Sequence, residues 1–170
     1  AYSGQGVVRN YKGIQPHTNL IARYPYALHD NQAVYANKHW RPQVIVIGLG
    51  TNDFSTPLAP DERWSSRTKL QDDYVASYIK FVQQLQLKNP QARFVLLASD
   101  KQDGEFVSQV KKVVAGAQAL GVARVDLIEY KNLTYTGCHW HPSVDDNKTI
   151  ADVLVRHLLS KGIARQGGKD

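Results

Sequence analysis

Apolar and polar positions alternate along this chain in blocks, and the blocks predict the elements. Val44-Ile45-Val46-Ile47 is a continuous run of β-formers, the pattern of a parallel strand buried on both faces. It stops abruptly in Gly48-Leu49-Gly50-Thr51-Asn52-Asp53, where two glycines permit a sharp turn and three polar side chains follow. From Arg67 to Lys88 apolar residues recur at Leu70, Tyr74, Ile79, Phe81, Val82 and Leu85. That spacing is helical, and Asn89-Pro90 ends the helix. Arg93 to Ala98 is a second buried strand. Phe106 to Leu120 forms a second long helix, closed by Gly121. Val122 to Ile128 makes a third strand, and Thr149 to Leu159 a last helix, which Ser143 or Asp145 can begin.

The remaining stretches are irregular. Residues 1–13 are rich in glycine and polar side chains. Thr18 to His29 carries a short helix capped by Thr18 or Asn19 and interrupted by Pro25. Residues 31–42 form a connector. Pro57, Pro60, Ser65 and Ser66 make the stretch after Asp53 a loop. The order β-α-β-α-β-loop-α implies parallel strands with helices packed on both sides. Open sheets of this kind bind ligands at the carboxyl ends of their strands, where Thr51, Asn52 and Asp53 sit.

The chain has 170 residues, a single domain's length, with 42% apolar and 21% charged residues. It carries no apolar run long enough to span a membrane. The net charge of +6 brings a nucleic-acid partner to mind, but the basic residues are scattered and no binding motif accompanies them. One cysteine, Cys138, cannot form an internal disulfide.

A second polar group, Thr136-Gly137-Cys138-His139-Trp140-His141-Pro142-Ser143, lies between the third strand and the last helix. The topology places it at the same sheet edge as Asn52. Imidazole trades protons near neutral pH, so one reading is a general base serving a nucleophile. A metal site of His139, His141, Cys138 and Asp145 is another, although the spacing matches neither CxxC nor HExxH. A carbohydrate-binding surface on Trp140 is the third.

Three stretches together resemble the SGNH (GDSL-like) hydrolases, and most of all carbohydrate esterase family 2, the acetyl xylan esterase type. They are Tyr2-Ser3-Gly4-Gln5-Gly6 with Arg9-Asn10-Tyr11, then Gly50-Thr51-Asn52-Asp53-Phe54-Ser55, and finally Gly137-Cys138-His139-Trp140-His141-Pro142. The resemblance implies a three-layer αβα, flavodoxin-like fold with a parallel sheet, and a serine esterase that removes O-acetyl groups from a plant polysaccharide such as xylan. It implies His141 as general base, and the Asn52 side-chain nitrogen and Gly4 backbone amide as oxyanion donors. Trp140 and His139 are the expected substrate contacts. No metal or organic cofactor, nucleic acid or membrane partner is implied, and the expected location is secreted or periplasmic.

Two departures from the family pattern matter. No Gly-Asp-Ser nucleophile block occurs in the chain, and Ser3 belongs to the oxyanion block. Residues 1–170 are therefore expected to be the C-terminal portion of an SGNH domain that lacks its first strand here, with residues 162–170 as a frayed tail. The nucleophilic serine would lie on an upstream segment, possible also as a separate N-terminal chain, and the 170 residues alone should be inactive. The second departure is His139, which stands where relatives often carry an Asp that orients the catalytic ring. A Ser-His dyad is expected instead, with a backbone carbonyl, that of Trp140, holding His141. The rival readings are a non-catalytic carbohydrate-binding module and a lipase or thioesterase of the same superfamily.

Overall fold

A computed structural model describes residues 3–15, 18–27, 32–36 and 39–163. The expectations for Tyr2, for the far end of the first short helix and for most of the tail lie outside them. The elements are α1 (Leu20–Arg23), β1 (Val44–Ile47), α2 (Thr51–Phe54), α3 (Arg67–Lys88), β2 (Arg93–Ser99), α4 (Glu105–Ala119), β3 (Val125–Tyr130) and α5 (Val144–Ser160).

The three strands run parallel in the order β1-β2-β3, with Val46 opposite Val95 and Val95 opposite Asp126. Parallel pairing sends all three carboxyl ends to one edge. Side chains alternate across a strand, so the sheet has two unlike faces. Ile47, Phe94, Leu96, Ala98 and Val125 share one buried cluster with Leu70, Tyr74, Tyr78 and Leu85 of α3 and Phe106, Val110 and Val113 of α4. Truncating a ring such as Phe94 in so closed a core costs about 3–5 kcal/mol. The opposite face meets α5 at β3, where Asp126 accepts from His157 Nε2 at 3.2 Å and from Arg93 Nη1 at 2.6 Å. The result is the expected three-layer α/β arrangement with a parallel sheet.

Several boundaries move, each for a local reason. The helix expected from Thr18 shrinks to one turn, capped by Asn19 Oδ1 on the Ala22 amide at 3.0 Å, and the chain then bends into an antiparallel bridge between Tyr26 and Val34. The third strand starts at Val125, because Val122 bonds back to Ala117 at the end of α4. The last helix starts five residues earlier than its apolar pattern suggests, because Ser143 and Asp146 form a reciprocal capping box.

The expectation that β1 is buried on both faces fails. Ile47 is buried, Val44 and Ile45 are half-buried, and Val46 is 41% exposed. Among the described residues β1 has β2 as its sole sheet neighbour. An apolar run reports what a strand can bury, not what stands beside it.

Candidate functional site

The Gly48–Asn52 turn does more than turn. Thr51-Asn52-Asp53-Phe54 closes one helical turn, α2, whose two central side chains both reach back to the amino-terminal loop. Asn52 Nδ2 donates to the Gln5 carbonyl at 2.8 Å. Asp53 is fully buried and accepts the Val7 amide on Oδ2 and the Val8 and Arg9 amides on Oδ1, each at 2.9 Å. Burial pushes its carboxyl up to about 6, with the three amide bonds working in the opposite direction. Asp53 braces a segment more than forty residues away in sequence.

Arg9 completes the clamp. Its side chain is 1% exposed and forms a two-bond fork with Glu62, Nε to Oε2 at 2.6 Å and Nη2 to Oε1 at 2.8 Å. It also donates to the carbonyls of Asp53, Thr56 and Pro57 at 2.9–3.2 Å. A planar guanidinium with five donors suits this position, and lysine could not replace it. Hydrogen bonding from Arg9 holds the Glu62 carboxyl below its ordinary range. Asn10, also buried, accepts the Gly6 amide at 3.1 Å and donates to the Gln15 carbonyl at 2.9 Å.

These bonds bring Asn52 against Gln5, the residue after Gly4, across more than forty residues of chain. Gly4 adopts φ +75°, and its carbonyl accepts the Tyr11 amide at 2.8 Å. An added Cβ at Gly4 would meet nothing nearer than Tyr11 Cβ at 3.8 Å. The left-handed backbone, not crowding, is what calls for glycine here.

The second group sits after β3, at the same sheet edge. His141 Nδ1 lies 2.8 Å from the Cys138 carbonyl. A carbonyl can only accept, so Nδ1 holds the proton and Nε2 is left as the basic nitrogen. The carbonyl is that of Cys138, not of Trp140 as expected. His139 and Trp140 both take left-handed conformations, with φ 54° and 61°, and this turn folds residue 141 back over residue 138. The His141 amide bonds the same carbonyl at 3.2 Å, and the Gly137 amide bonds the His141 carbonyl at 3.0 Å. His141, His139 and Cys138 are exposed, and Trp140 is 83% exposed.

Asp146 ties this loop down. It accepts the amides of Thr134, Tyr135 and Ser143 at 2.8–2.9 Å and the Thr134 hydroxyl at 3.1–3.2 Å. Burial opposes its charge, but these bonds outweigh burial and hold the carboxyl well below the ordinary range. The sequence pattern missed Arg9, Glu62 and Asp146 as determinants of the site. The spacing from Ser143 to Asp146 signals a cap; nothing local signals the Arg9–Glu62 pair.

Beside α2 lies a groove of about 880 Å³ lined by Phe54, Pro57, Leu58, Trp64, Arg67 and Glu105, among others, but by neither Asn52 nor His141. Trp64 is a packing residue there: its Nε1 donates to Asp73 at 2.9 Å and the Arg63 guanidinium lies 4.4 Å over its ring.

The parallel α/β sheet thus carries a clamped amino-terminal loop after its first strand and a backbone-held histidine before its last helix. Residues 4–154 match the family described as GDSL-like Lipase/Acylhydrolase, and the chain belongs to that family. An acetylxylan esterase / glucomannan deacetylase of Cellvibrio japonicus is 52% identical over 161 residues, covering 95% of this chain and 45% of that protein. The cellulase/esterase CelE of Acetivibrio thermocellus is 30% identical over 168 residues, covering 95% of this chain and 19% of its own. Among solved structures, a carbohydrate esterase described as having divergent catalytic and non-catalytic binding functions superposes with a TM-score of 0.92 at 52% identity, covering 94% of this chain and 52% of its own. A family two carbohydrate esterase from Clostridium thermocellum in complex with cellohexaose gives 0.77 at 28% identity, covering 93% of this chain and 47% of its own. The 170 residues span about half the length of such relatives or less.

Proposed function

We propose that the full-length protein is a serine esterase that removes O-acetyl groups from a plant cell-wall polysaccharide, with the xylan type as its substrate. The observation that carries this reading is the Asn52 amide bonded to the Gly4–Gln5 segment at the sheet edge that also presents His141 with Nε2 as the basic nitrogen. The likeness to an acetylxylan esterase / glucomannan deacetylase supplies the substrate class.

In this reading the serine hydroxyl attacks the acetyl carbonyl while His141 Nε2 takes its proton. Asn52 Nδ2 and the Gly4 amide receive the developing oxyanion. The intermediate collapses to an acetyl-serine, and the proton on His141 passes to the leaving sugar hydroxyl. Water, deprotonated by the same nitrogen, then releases acetate and restores the serine. The Cys138 carbonyl holds the ring, in the place an acidic partner takes in a triad. Trp140 offers an exposed face to a sugar ring, with His139 beside it.

The nucleophilic serine is assigned to a part of the enzyme outside residues 1–170, on a continuous chain or a separate one. The absence of Gly-Asp-Ser from these residues supports this. The side of β1 away from β2, which carries no strand among the described residues, is where a further parallel strand would join the sheet. A polysaccharide substrate calls for a secreted or periplasmic enzyme; no helix among the described residues is long and apolar enough to cross a membrane.

The test is acetate release from acetylated xylan by the full-length protein. Release that disappears in His141→Ala supports the esterase. Retention of xylan without any acetate release would replace it with a binding module, and release confined to long-chain acyl esters would point to a lipase-type member.

A further inference from the structure

Two segments that the chain separates by more than forty residues must meet for a Gly4 amide and an Asn52 amide to face one oxyanion. Asn52 holds the near side of the amino-terminal loop through the Gln5 carbonyl at 2.8 Å. Asp53, the next residue, holds the far side through three amides at 2.9 Å, those of Val7, Val8 and Arg9. One turn of helix thus grips residues 5–9 by a carbonyl and by three N–H groups. The approach is so close that a Cβ at Gly6 would lie 2.5 Å from Asp53 Oδ2 and 2.0 Å from the Arg9 carbonyl. A fully buried carboxylate with three convergent amides is costly to build, since burying the charge works against the fold.

We propose that Asp53 is a positioning residue for the acyl-transfer site: by drawing residues 7–9 onto α2 it sets the Gly4 amide at its working separation from the Asn52 amide. It touches neither substrate nor the reacting atoms; it acts through the backbone it holds. The proposal rests on the reading of Gly4 and Asn52 as the oxyanion donors. Its consequence is specific. A misplaced donor weakens the bond that tightens as the oxyanion forms, so Asp53 should influence kcat and leave KM nearly alone.

The test uses the full-length enzyme and a small acetyl ester. In Asp53→Asn an amide group replaces one accepting oxygen and confronts an N–H donor. Its kcat should fall about 100-fold, the size of one lost oxyanion donor, with KM changed less than about threefold. Gly6→Ala, which leaves the carboxylate intact but blocks the approach, should show the same split. Both are assayed below their own melting temperatures, with the folded fraction measured by circular dichroism. A variant that melts lower but keeps wild-type kcat per folded molecule would overturn the proposal, as would a rise in KM at constant kcat. Failure of both variants to fold at any temperature would also overturn it, leaving Asp53 a determinant of the fold. His141→Ala run in parallel separates the two levels. If that variant keeps its activity, the reading of the site is wrong; if it is inactive while Asp53→Asn is not, only the positioning role falls.

Discussion

Asp53 and Asp146 are the same device used twice, and they respond to it in opposite ways. Each is a shielded carboxylate that accepts three backbone amides and so ties a site-bearing loop to a helix. Asp53 lies at the core beside Phe54, Tyr74 and Tyr78, and burial raises its carboxyl to about 6. Asp146 lies outside the core cluster, in the first turn of α5 where the helix dipole favours negative charge, and it is held well below the ordinary range. The balance between desolvation and hydrogen bonding sets the ionisation: Asp53 is buried in the core with three amides, whereas Asp146 adds the Thr134 hydroxyl to its three. The loops differ accordingly. The Gly4–Asn10 loop is bound into the core by Asp53, Arg9 and Asn10, whereas residues 137–141 are largely exposed and close mostly on themselves.

The sharpest way to break this comparison is His141→Ala in the full-length enzyme. Its side chain is exposed and, among the described residues, bonds within its own loop, so the melting temperature should hardly move while kcat falls about 10⁴-fold or more. Near-normal turnover would end its role as general base. Asn52→Ala removes one oxyanion donor and one strut of the buried clamp. It should lower kcat about 100- to 1000-fold and, unlike His141→Ala, lower the melting temperature as well. Trp140→Ala should raise KM on acetylated xylan about 2- to 10-fold, equivalent to about 0.5–1.5 kcal/mol of stacking, and leave a small acetyl ester unaffected.

The pH dependence of melting sharpens the contrast between the carboxylates. For Asp53 the folded value, about 6, lies above the unfolded value of about 3.9. Between them the folded state binds more protons, so this group's contribution falls as pH rises from about 4 to about 6 and is flat above. Arg9, through its amide, and the Tyr74 and Tyr78 hydroxyls are the ionisable neighbours that face it. Asp53→Asn should remove that slope. Asp146 has the opposite sign: its contribution is fully present above about pH 4 and is lost as pH falls through its depressed folded value. Asp146→Asn should melt lower than wild type at neutral pH, with the gap closing in acid. Melting curves from pH 3 to 8 check both; parallel slopes in the two variants would contradict the account.

The two layers of long helix and the three strands were legible because their periodicity is local. So was the placement of Asn52 and His141, which stand where parallel topology puts the end of β1 and the loop after β3. Val46 misled, because an apolar side chain looks the same whether or not a strand lies beside it. Asp53, Arg9 and Glu62 were opaque as structural residues: their partners lie 44–53 positions away. The Cys138 carbonyl was missed for a different reason. Two consecutive non-glycine residues in left-handed conformations, His139 and Trp140, reverse the loop in a way that composition does not announce.

The account stands most directly on where the nucleophile lies. The full-length enzyme should be treated with a serine-directed fluorophosphonate, digested, and mapped by mass spectrometry, with His141→Ala alongside. The account predicts one labelled serine outside residues 1–170, and loss of that label in His141→Ala. A label on Ser3 or any other serine of these 170 residues would contradict it.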